Sequence, residues 1–600
     1  MADACPKKPG SWPVIALLAA ACLVCLLPWA DKALTADEPL VVWIAQQVEK
    51  DPADCFGFDV NWFLTPRPVV LAITDPPLAS YYLALFGTLF GWSELVLRLA
   101  FLFPTLAAVL GTYCLGRRWC SRPVLAALAT LLTPVFLLCG TSVLGDMLML
   151  ACWVWAVYLW DRGICDRKSP GLALAGVLMA LAALSAYNGV LLIPLLLVHA
   201  LAVRRRPGWW LLALLVPVLV LGAFERMTYQ TYGRTRLLDL LEVTLNQPAL
   251  ALRGFIPTLM IGLAFTGGCV VGILFFAPLL FPGRLLLWGT LAATVLILVS
   301  PLLGDFGPHP LYFRKVVRWA FITQGVIFSA AGVGLFVIAV AAFARRRDPQ
   351  GLLLLLWVLA GFVFGTYMTG AIFGRSFLPL APAMGILVAR RLEQRFGPAP
   401  RSDLPLVSGA WCSSPLTTHH SPLTRVRGDE GPTGWHLYWP LVPAGLLALL
   451  VVWADYGWAG SARDAAEEIS SQYMDDKRTL WFQGHWGFHY YMEGAGGRPM
   501  DFFSLHPRVG DIMVVPSNNY PKRDPPREIA KVIRKLRPNR CSWLTTMEKW
   551  SGAGFYGDPR GPLPFAFGEP DPEEYSICKL MSLQVRKPRR GKQTVASSGR

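Results

Sequence analysis

The sequence predicts an α-helical polytopic membrane protein of about thirteen transmembrane helices, with a small extracytoplasmic α/β domain near its C-terminal end. Three observations carry that prediction. Hydrophobic residues make up 54% of the 600-residue chain and charged residues only 16%, too little charge to cover a soluble surface of this size. Apolar stretches near the ~20 residues that a bilayer core requires recur along most of the length. Short basic loops separate them on alternate turns, as the positive-inside rule expects.

The apolar stretches lie at 12–30, 94–116, 122–140, 145–160, 170–186, 189–203, 208–225, 255–281, 284–302, 319–344, 351–370, 374–391 and 437–455. "KKPG" precedes the first in the manner of a signal peptide. No small-x-small site follows it, so it reads as an uncleaved helix. The basic groups "PKK" (6–8), "GRRWCSR" (116–122), "DRGICDRKS" (161–169), "VRRRPG" (203–208), "PGR" (282–284) and "ARRRD" (344–348) fall on one side, taken as cytoplasmic. Longer segments of mixed charge, 31–93, 226–254 and 303–318, fall on the other, and an odd number of spans exports the region after 455.

Within 31–93, "EPLVVWIAQQVEK" has apolar residues at helical spacing and polar ones opposite, which suits a helix lying in the interface. "TDPPLASYYLALFGTLFG" (74–91) predicts a second, with Pro76 and Pro77 at its start. Such helices would floor a chamber at the outer membrane face. The domain plan is then 1–391 for the transmembrane catalytic part and 392–436 for a flexible Pro-, Ser- and Gly-rich cytoplasmic linker. A last span follows at 437–455, an α/β domain at 456–580 and a disordered basic tail at 581–600. In the α/β domain "SARDAAEEISSQYM" reads as a helix, "TLWFQG" and "DIMVVP" as strands, and "WGFHYYMEGAG" as a turn into a helix.

A net charge of +16 does not point to nucleic acid, because the cations sit in short loops and no basic groove with interleaved aromatics is evident. The 13 cysteines show no metal-ligand spacing. Cys541 and Cys578 both lie in the exported region, where a disulfide is chemically allowed but not dictated by spacing.

Chemistry is expected first at "TADEPL", where Asp37 and Glu38 stand side by side at a membrane surface. Acids there often only cap or solvate a helix end. Recurrence of acids on the same side favours a proton-accepting role. Asp75 opens "TDPPL", and Asp146 in "GTSVLGDMLML" sits at an apolar helix end, where an ionisable group is costly. An N-cap is the plain alternative for Asp146. Arg253, Arg314, Lys315, Arg318 and Arg375 supply cations on that face, each explicable singly by snorkelling and together able to hold an anion. Asp75, Tyr81, Tyr187 and Asn188 are candidates for a donor or acceptor pocket, although turn chemistry alone accounts for the Asn-Gly in "LSAYNGVLLIP". His485 and His489 in "WFQGHWGFHYYMEGAGG" are i, i+4 and would suit a metal if helical; packing and polar contacts are the favoured reading.

The order "ADEPLVVWIAQQV", "DPPLASYYLALFGTLFGWSELVLRLAFLFPTLAAVLGTYCLGRRW", "TSVLGDMLML" and "ALSAYNGVLLIPLLL" resembles glycosyltransferase family 39. That family includes protein O-mannosyltransferases, aminoarabinose transferases acting on lipid A, and related galacturonosyltransferases. The resemblance spans roughly 31–200 and is thinner at "GRSFLPLAPAMG" (374–385). It implies a GT-C membrane fold, a polyprenyl-phosphate sugar donor, and chemistry on the extracytoplasmic face. Asp37 would be the catalytic base with Glu38 beside it, Asp146 the second family aspartate, and Arg375 a phosphate contact. Two departures stand out. Relatives often carry Lys or His before the double proline, where this chain has Asp75, and Lys before the tyrosine of the turn, where it has Ala186.

The expected reaction moves a sugar, with inversion, from polyprenyl phosphate to a hydroxyl of a glycan, lipid A or protein. Asp37 takes the proton, while Arg375 with Arg253 and Arg318 neutralises the departing phosphate. Asp146 would orient a partner or join Asp37 in holding an optional Mg²⁺ or Mn²⁺. The competing expectation is a transporter or flippase of a lipid-linked sugar. Acids gathered at one face, and no repeated halves, speak against it. The Ala-, Leu- and Arg-rich style suggests a bacterial inner (plasma) membrane protein with a periplasmic site.

Overall fold

A computed structural model of the chain describes residues 12–166, 169–245, 254–302, 311–313, 316–398, 434–474, 478–501, 507–519 and 522–582. Among them nine helices are long and apolar enough to cross a bilayer, or eleven spans if two bent helix pairs each count as one. Both bends have local causes. Pro123–Leu131 and Pro134–Gly140 meet at 67°, where Pro134 lacks an N–H and the Thr133 hydroxyl accepts from Phe136 N at 3.4 Å to start a new helix. Phe255–Cys269 and Ile273–Leu280 meet at 86° across the glycine-bounded break Val270–Gly272. The stretches predicted at 170–186 and 374–391 form 17-residue helices, Ser169–Ser185 and Leu380–Phe396. Thirteen expected spans thus become eleven by length and apolarity, plus these two shorter helices.

Close helix crossings use small residues, as in other membrane bundles. A Cβ on Gly267 would fall 1.7 Å from Phe328 O, and one on Gly332 2.5 Å from Leu263 O. The helices Phe255–Cys269 and Trp319–Arg346 therefore touch backbone to backbone.

The two helices predicted within 31–93 form, Glu38–Lys50 and Leu78–Phe90, and pack against each other. Thirteen residues span about 20 Å, short of a bilayer core. At one end of the bundle the basic loops gather. Arg118 Nε donates to Asp161 at 2.6 Å, Arg122 Nη1 to Gly397 O at 2.9 Å, and Arg390 pairs with Asp348. Asp37, Asp75, Gly145 and Arg375 collect at the opposite end.

The predicted boundary at 456 falls inside one continuous helix, Leu441–Tyr473, of 33 residues. "SARDAAEEISSQY" extends the last span rather than starting a domain. Beyond it, five strands form a mixed sheet in the order Arg498–Pro499, Leu480–Phe482, Ile512–Pro516, Tyr575–Leu580, Ala530–Leu536. The first two junctions are parallel and the last two antiparallel. Alternation sorts the side chains by face. Ile512 and Val514 pack with Phe488, Met492 and the end of the long helix at Ala465, Ala466 and Ile469, while Met513 and Val515 join Trp481 and Cys578 behind. Cys541 and Cys578 are free buried thiols, so no disulfide joins them.

The α/β region is docked on the bundle, not tethered beside it. Gly374 N donates to Phe555 O at 2.7 Å, and Ile372 N to Asp558 Oδ1 at 2.8 Å. Gln324 exchanges two bonds with the Phe567 backbone, at 2.7 and 2.9 Å. At the centre Asp455, fully buried, accepts from Lys32 Nζ (2.6 Å), Thr546 Oγ1 (2.6 Å) and Tyr556 OH (2.8 Å). One carboxylate thereby joins the N-terminal loop, the last span and the C-terminal region.

Candidate active site

The two adjacent acids face different ways. Ala36, just before them, has φ 47°, a left-handed conformation seldom held by a residue with a side chain. Beyond this turn Glu38 points inward and is fully buried. Its carboxylate accepts from Arg98 Nη1 at 2.6 Å and Nη2 at 2.8 Å, from Thr35 N at 2.8 Å and from Val143 N at 3.0 Å. Burial alone would raise this carboxyl, but the charge and hydrogen bonds of Arg98, then Lys32 and the Thr35 amide, hold it below its ordinary value. Arg98 also donates to the carbonyls of Lys32, Ala33 and Thr141. Every Glu38 lone pair with good geometry is taken, so the catalytic role expected for Glu38 gives way to a structural one.

Asp37 makes no side-chain cap bond and lines a cavity of about 580 Å³. Arg375 Nη2 donates to Asp37 Oδ2 at 3.2 Å and stands 3.8 Å from Asp75 Oδ2. Arg375 is carried on the short turn Gly374–Phe377, pinned to the C-terminal region through Gly374. Its guanidinium lies over the Phe373 ring, 5.2 Å from the centroid. Burial pushes the Asp37 carboxyl above its ordinary value; Arg375 offsets part of that rise, and Asp75 and Glu38 add to it. For Arg375 burial acts to remove the proton, and Asp146, Asp37 and Asp75 more than restore it. The site thus holds a fixed cation beside two carboxylates that precede it in the chain by about 340 and 300 residues.

Asp146, at 8% exposure, opens the helix Asp146–Cys165. Its neighbours Leu144 and Gly145 line the cavity, and Asp146 acts on Arg375 by charge from behind them. The pairing of Asp37 with Asp146 around a divalent cation does not fit this arrangement. Arg375 already supplies the positive charge beside Asp37 and Asp75, and no three His, Cys, Asp or Glu groups among the described residues are placed to hold a metal.

Of the pocket candidates, Asp75 lines the cavity. Tyr81 does not, since its hydroxyl donates to Pro52 O at 2.6 Å. Tyr187 donates to Glu225 Oε1 at 2.7 Å, and it and Asn188 are buried in the turn between helices, with only the preceding Ser185 reaching the cavity. Arg318 donates to Trp550 O and covers the Phe321 ring, away from the cavity wall. Arg253, Arg314 and Lys315 fall outside the described residues.

The C-terminal region contributes a wall that the sequence reading did not place at the site. His485, Trp486, Met547, Lys549, Tyr556 and Arg560 close the cavity opposite the membrane helices. Lys549 and Arg560 bring two cations to a site from which Asp75 and Ala186 had removed the expected ones. Only "GHWG" carried a local signal, two glycines around a histidine and a tryptophan. The 547–560 loop is polar and Gly-rich in a way that reads as any surface loop.

Residues 74–224 match the family of dolichyl-phosphate-mannose-protein mannosyltransferases, within and just beyond the stretch whose motifs resemble that group. No curated protein matches the chain. Among solved structures, ArnT from Cupriavidus metallidurans bound to undecaprenyl phosphate is 14% identical, with 85% of this chain and 94% of that chain covered and a TM-score of 0.38. The archaeal oligosaccharyltransferase AglB from Archaeoglobus fulgidus, in complex with an inhibitory peptide and a dolichol-phosphate, is 14% identical, covering 82% and 64% of the two chains at a TM-score of 0.43. The arabinofuranosyltransferase AftD from Mycobacteria is 13% identical, covering 95% of this chain and 40% of that one at 0.40.

Proposed function

We propose that this multi-pass membrane protein is a glycosyltransferase that moves a sugar from a polyprenyl-phosphate donor to a hydroxyl on an extracytoplasmic glycan, lipid or protein acceptor. The observation that carries the reading is Asp37. It is an acid at a helix start that leaves its cap bond unmade and faces a cavity beside a fixed arginine. The mannosyltransferase family match over 74–224 supports the reaction class.

In the reaction, an Asp37 oxygen removes the proton of the acceptor hydroxyl as that oxygen bonds to the anomeric carbon. The bond from that carbon to the phosphate oxygen breaks, and the electron pair leaves on the lipid phosphate. A single displacement inverts the anomeric centre. A carboxyl raised by burial is a better base once ionised, and such a group contributes ~10²–10⁴-fold. Arg375 aims Asp37 and, with Lys549 and Arg560, meets the charge developing on the phosphate. Asp146 adds negative charge near Arg375, and Glu38 fixes the helix that presents Asp37. The lipid tail stays in hydrocarbon while its headgroup reaches the cavity at the basic loops' opposite end, which supports a site on the extracytoplasmic face.

The test is Asp37→Asn protein in detergent, given undecaprenyl-phosphate sugars and an acceptor panel. Turnover should collapse while donor binding persists. Unchanged transfer by the variant would end the proposal, as would a wild type that carries lipid-linked sugar across vesicles without transferring it.

A further inference from the structure

We propose that the turn Gly484–His485–Trp486–Gly487 is a carbohydrate-recognition element, with His485 hydrogen-bonding a saccharide hydroxyl and Trp486 stacking on the sugar ring. The assignment rests on the glycosyltransferase reading and adds to it the residues that read the sugar.

The turn is built for a fixed presentation. Asn519 grips the His485 backbone from both sides, accepting from its N at 3.0 Å and donating to its O at 2.8 Å. Gly484 has φ 90° and Trp486 φ 65°. For the glycine this is easy; for a bulky aromatic it is strained, and strain of that kind persists where the surroundings require it, often at binding sites. Gly487 presses against the segment that carries the base, where a Cβ would fall 1.9 Å from Leu34 O. Three residues on from Leu34 stands Asp37. The turn and the segment that carries Asp37 are therefore registered to each other through the close approach of Gly487 to Leu34.

Both side chains line the same cavity as Asp37 and Arg375. The His485 ring sits between Trp62 and Trp486, each centroid 4.8 Å away. Its Nδ1 is buried with no hydrogen-bond partner among the described residues. Burial first, then His489 and Arg560, push its pKa well down, so the imidazole is neutral and can both donate and accept. A sugar offers what such a wall binds: an edge of hydroxyls for a neutral imidazole and an apolar C–H face for an indole. A histidine serving only as core filling would not need a strained tryptophan and a doubly held backbone beside it.

The ring could belong to the donor sugar or to a saccharide acceptor, and the experiment separates them. Full-length His485→Ala and Trp486→Gly proteins are placed in nanodiscs; glycine suits φ 65° and so removes the indole while easing the backbone. Affinities are measured for undecaprenyl phosphate and undecaprenyl-phosphate-mannose, and transfer is measured with mannotriose as acceptor. If the turn reads the donor, both variants lose about tenfold in affinity for the sugar-bearing lipid and keep that for the bare one. If it reads the acceptor, both lipid affinities stay and the mannotriose KM rises by about tenfold at unchanged saturated kcat. Unchanged values throughout would overturn the proposal, as would equal weakening for both lipids, the mark of a structural role. Should either variant misfold, His485→Gln and Trp486→Leu give the same ratios. A wild type that binds neither lipid would overturn the glycosyltransferase reading and this assignment with it.

Discussion

Replacing each of the adjacent acids by its amide should break two different things. In Glu38→Gln, one of two oxygens that together accept four hydrogen bonds becomes an NH₂ group facing other donors. Arg98, at 4% exposure, at the same time loses the only acid it pairs with among the described residues. Stripping one partner from a buried pair costs about 3–5 kcal/mol, since a buried cation is left uncompensated. Asp37→Asn removes one 3.2 Å contact from a carboxylate whose side chain is 32% exposed, worth about 0–1 kcal/mol. Turnover in that variant should instead fall by ~10²–10⁴-fold. Fluorescence-detected thermal unfolding in detergent, run beside a transfer assay, reads both. Glu38→Gln should melt early and Asp37→Asn should melt with wild type. A reversed pattern would refute the division of labour drawn from the geometry. The pH dependence adds a check of sign. A carboxyl held low in the folded state stabilises above its unfolded pKa, and that contribution is lost as pH falls through the folded value. The acid-side decline of wild-type melting should therefore be shallower in Glu38→Gln.

Arg375→Lys keeps a charge but loses the rigid guanidinium whose Nη2 stands beside both Asp37 and Asp75, and should lower kcat by about ten- to a hundredfold with little change in melting temperature. Lys32→Met leaves Asp455 buried without its cation and should cost about 3–5 kcal/mol. Adding Asp455→Leu should return only part of that, because Thr546 and Tyr556 also lose their acceptor; full additivity in the double-mutant cycle would show that the pair is not coupled. Because burial raises the Asp37 carboxyl and a general base works only when ionised, kcat/KM should climb with pH through a value above the usual ~3.9 of an aspartate. The same raised carboxyl favours the folded state below its unfolded pKa and ceases to do so as pH rises through the folded one, opposite in sign to Glu38. A limb that persists in Asp37→Asn would assign it to another group.

Much of the membrane part was legible because periodicity and length are written locally. "EPLVVWIAQQVEK" and "LASYYLALFGTLF" gave their helices from apolar spacing, and Asp37, Asp75 and Arg375 announced themselves as charges beside apolar runs. Separating Asp37 from Glu38 needed Arg98, an arginine set inside "ELVLRLAFLF", and finding the partner of Lys32 needed Asp455, an acid inside "VVWADYGWAG". Both were readable as intramembrane charges looking for partners. Which partner each took depends on a fold that brings residue 98 to residue 38 and residue 455 to residue 32. Tyr187 and Arg318 failed for the same reason: their hydroxyl and guanidinium were claimed by Glu225 and the Trp550 carbonyl, contacts that no local pattern announces. The roof of the cavity was illegible because a loop becomes a wall only by docking.

The bridge at Asp455 also bears on how the protein is made. Lys32 is translated early, the carboxylate that holds it more than four hundred residues later, and the tyrosine and threonine that share that carboxylate later still. A nascent chain halted before residue 541 carries Asp37 and Arg375 but lacks Met547, Lys549, Tyr556 and Arg560, the part of the cavity wall that is made last.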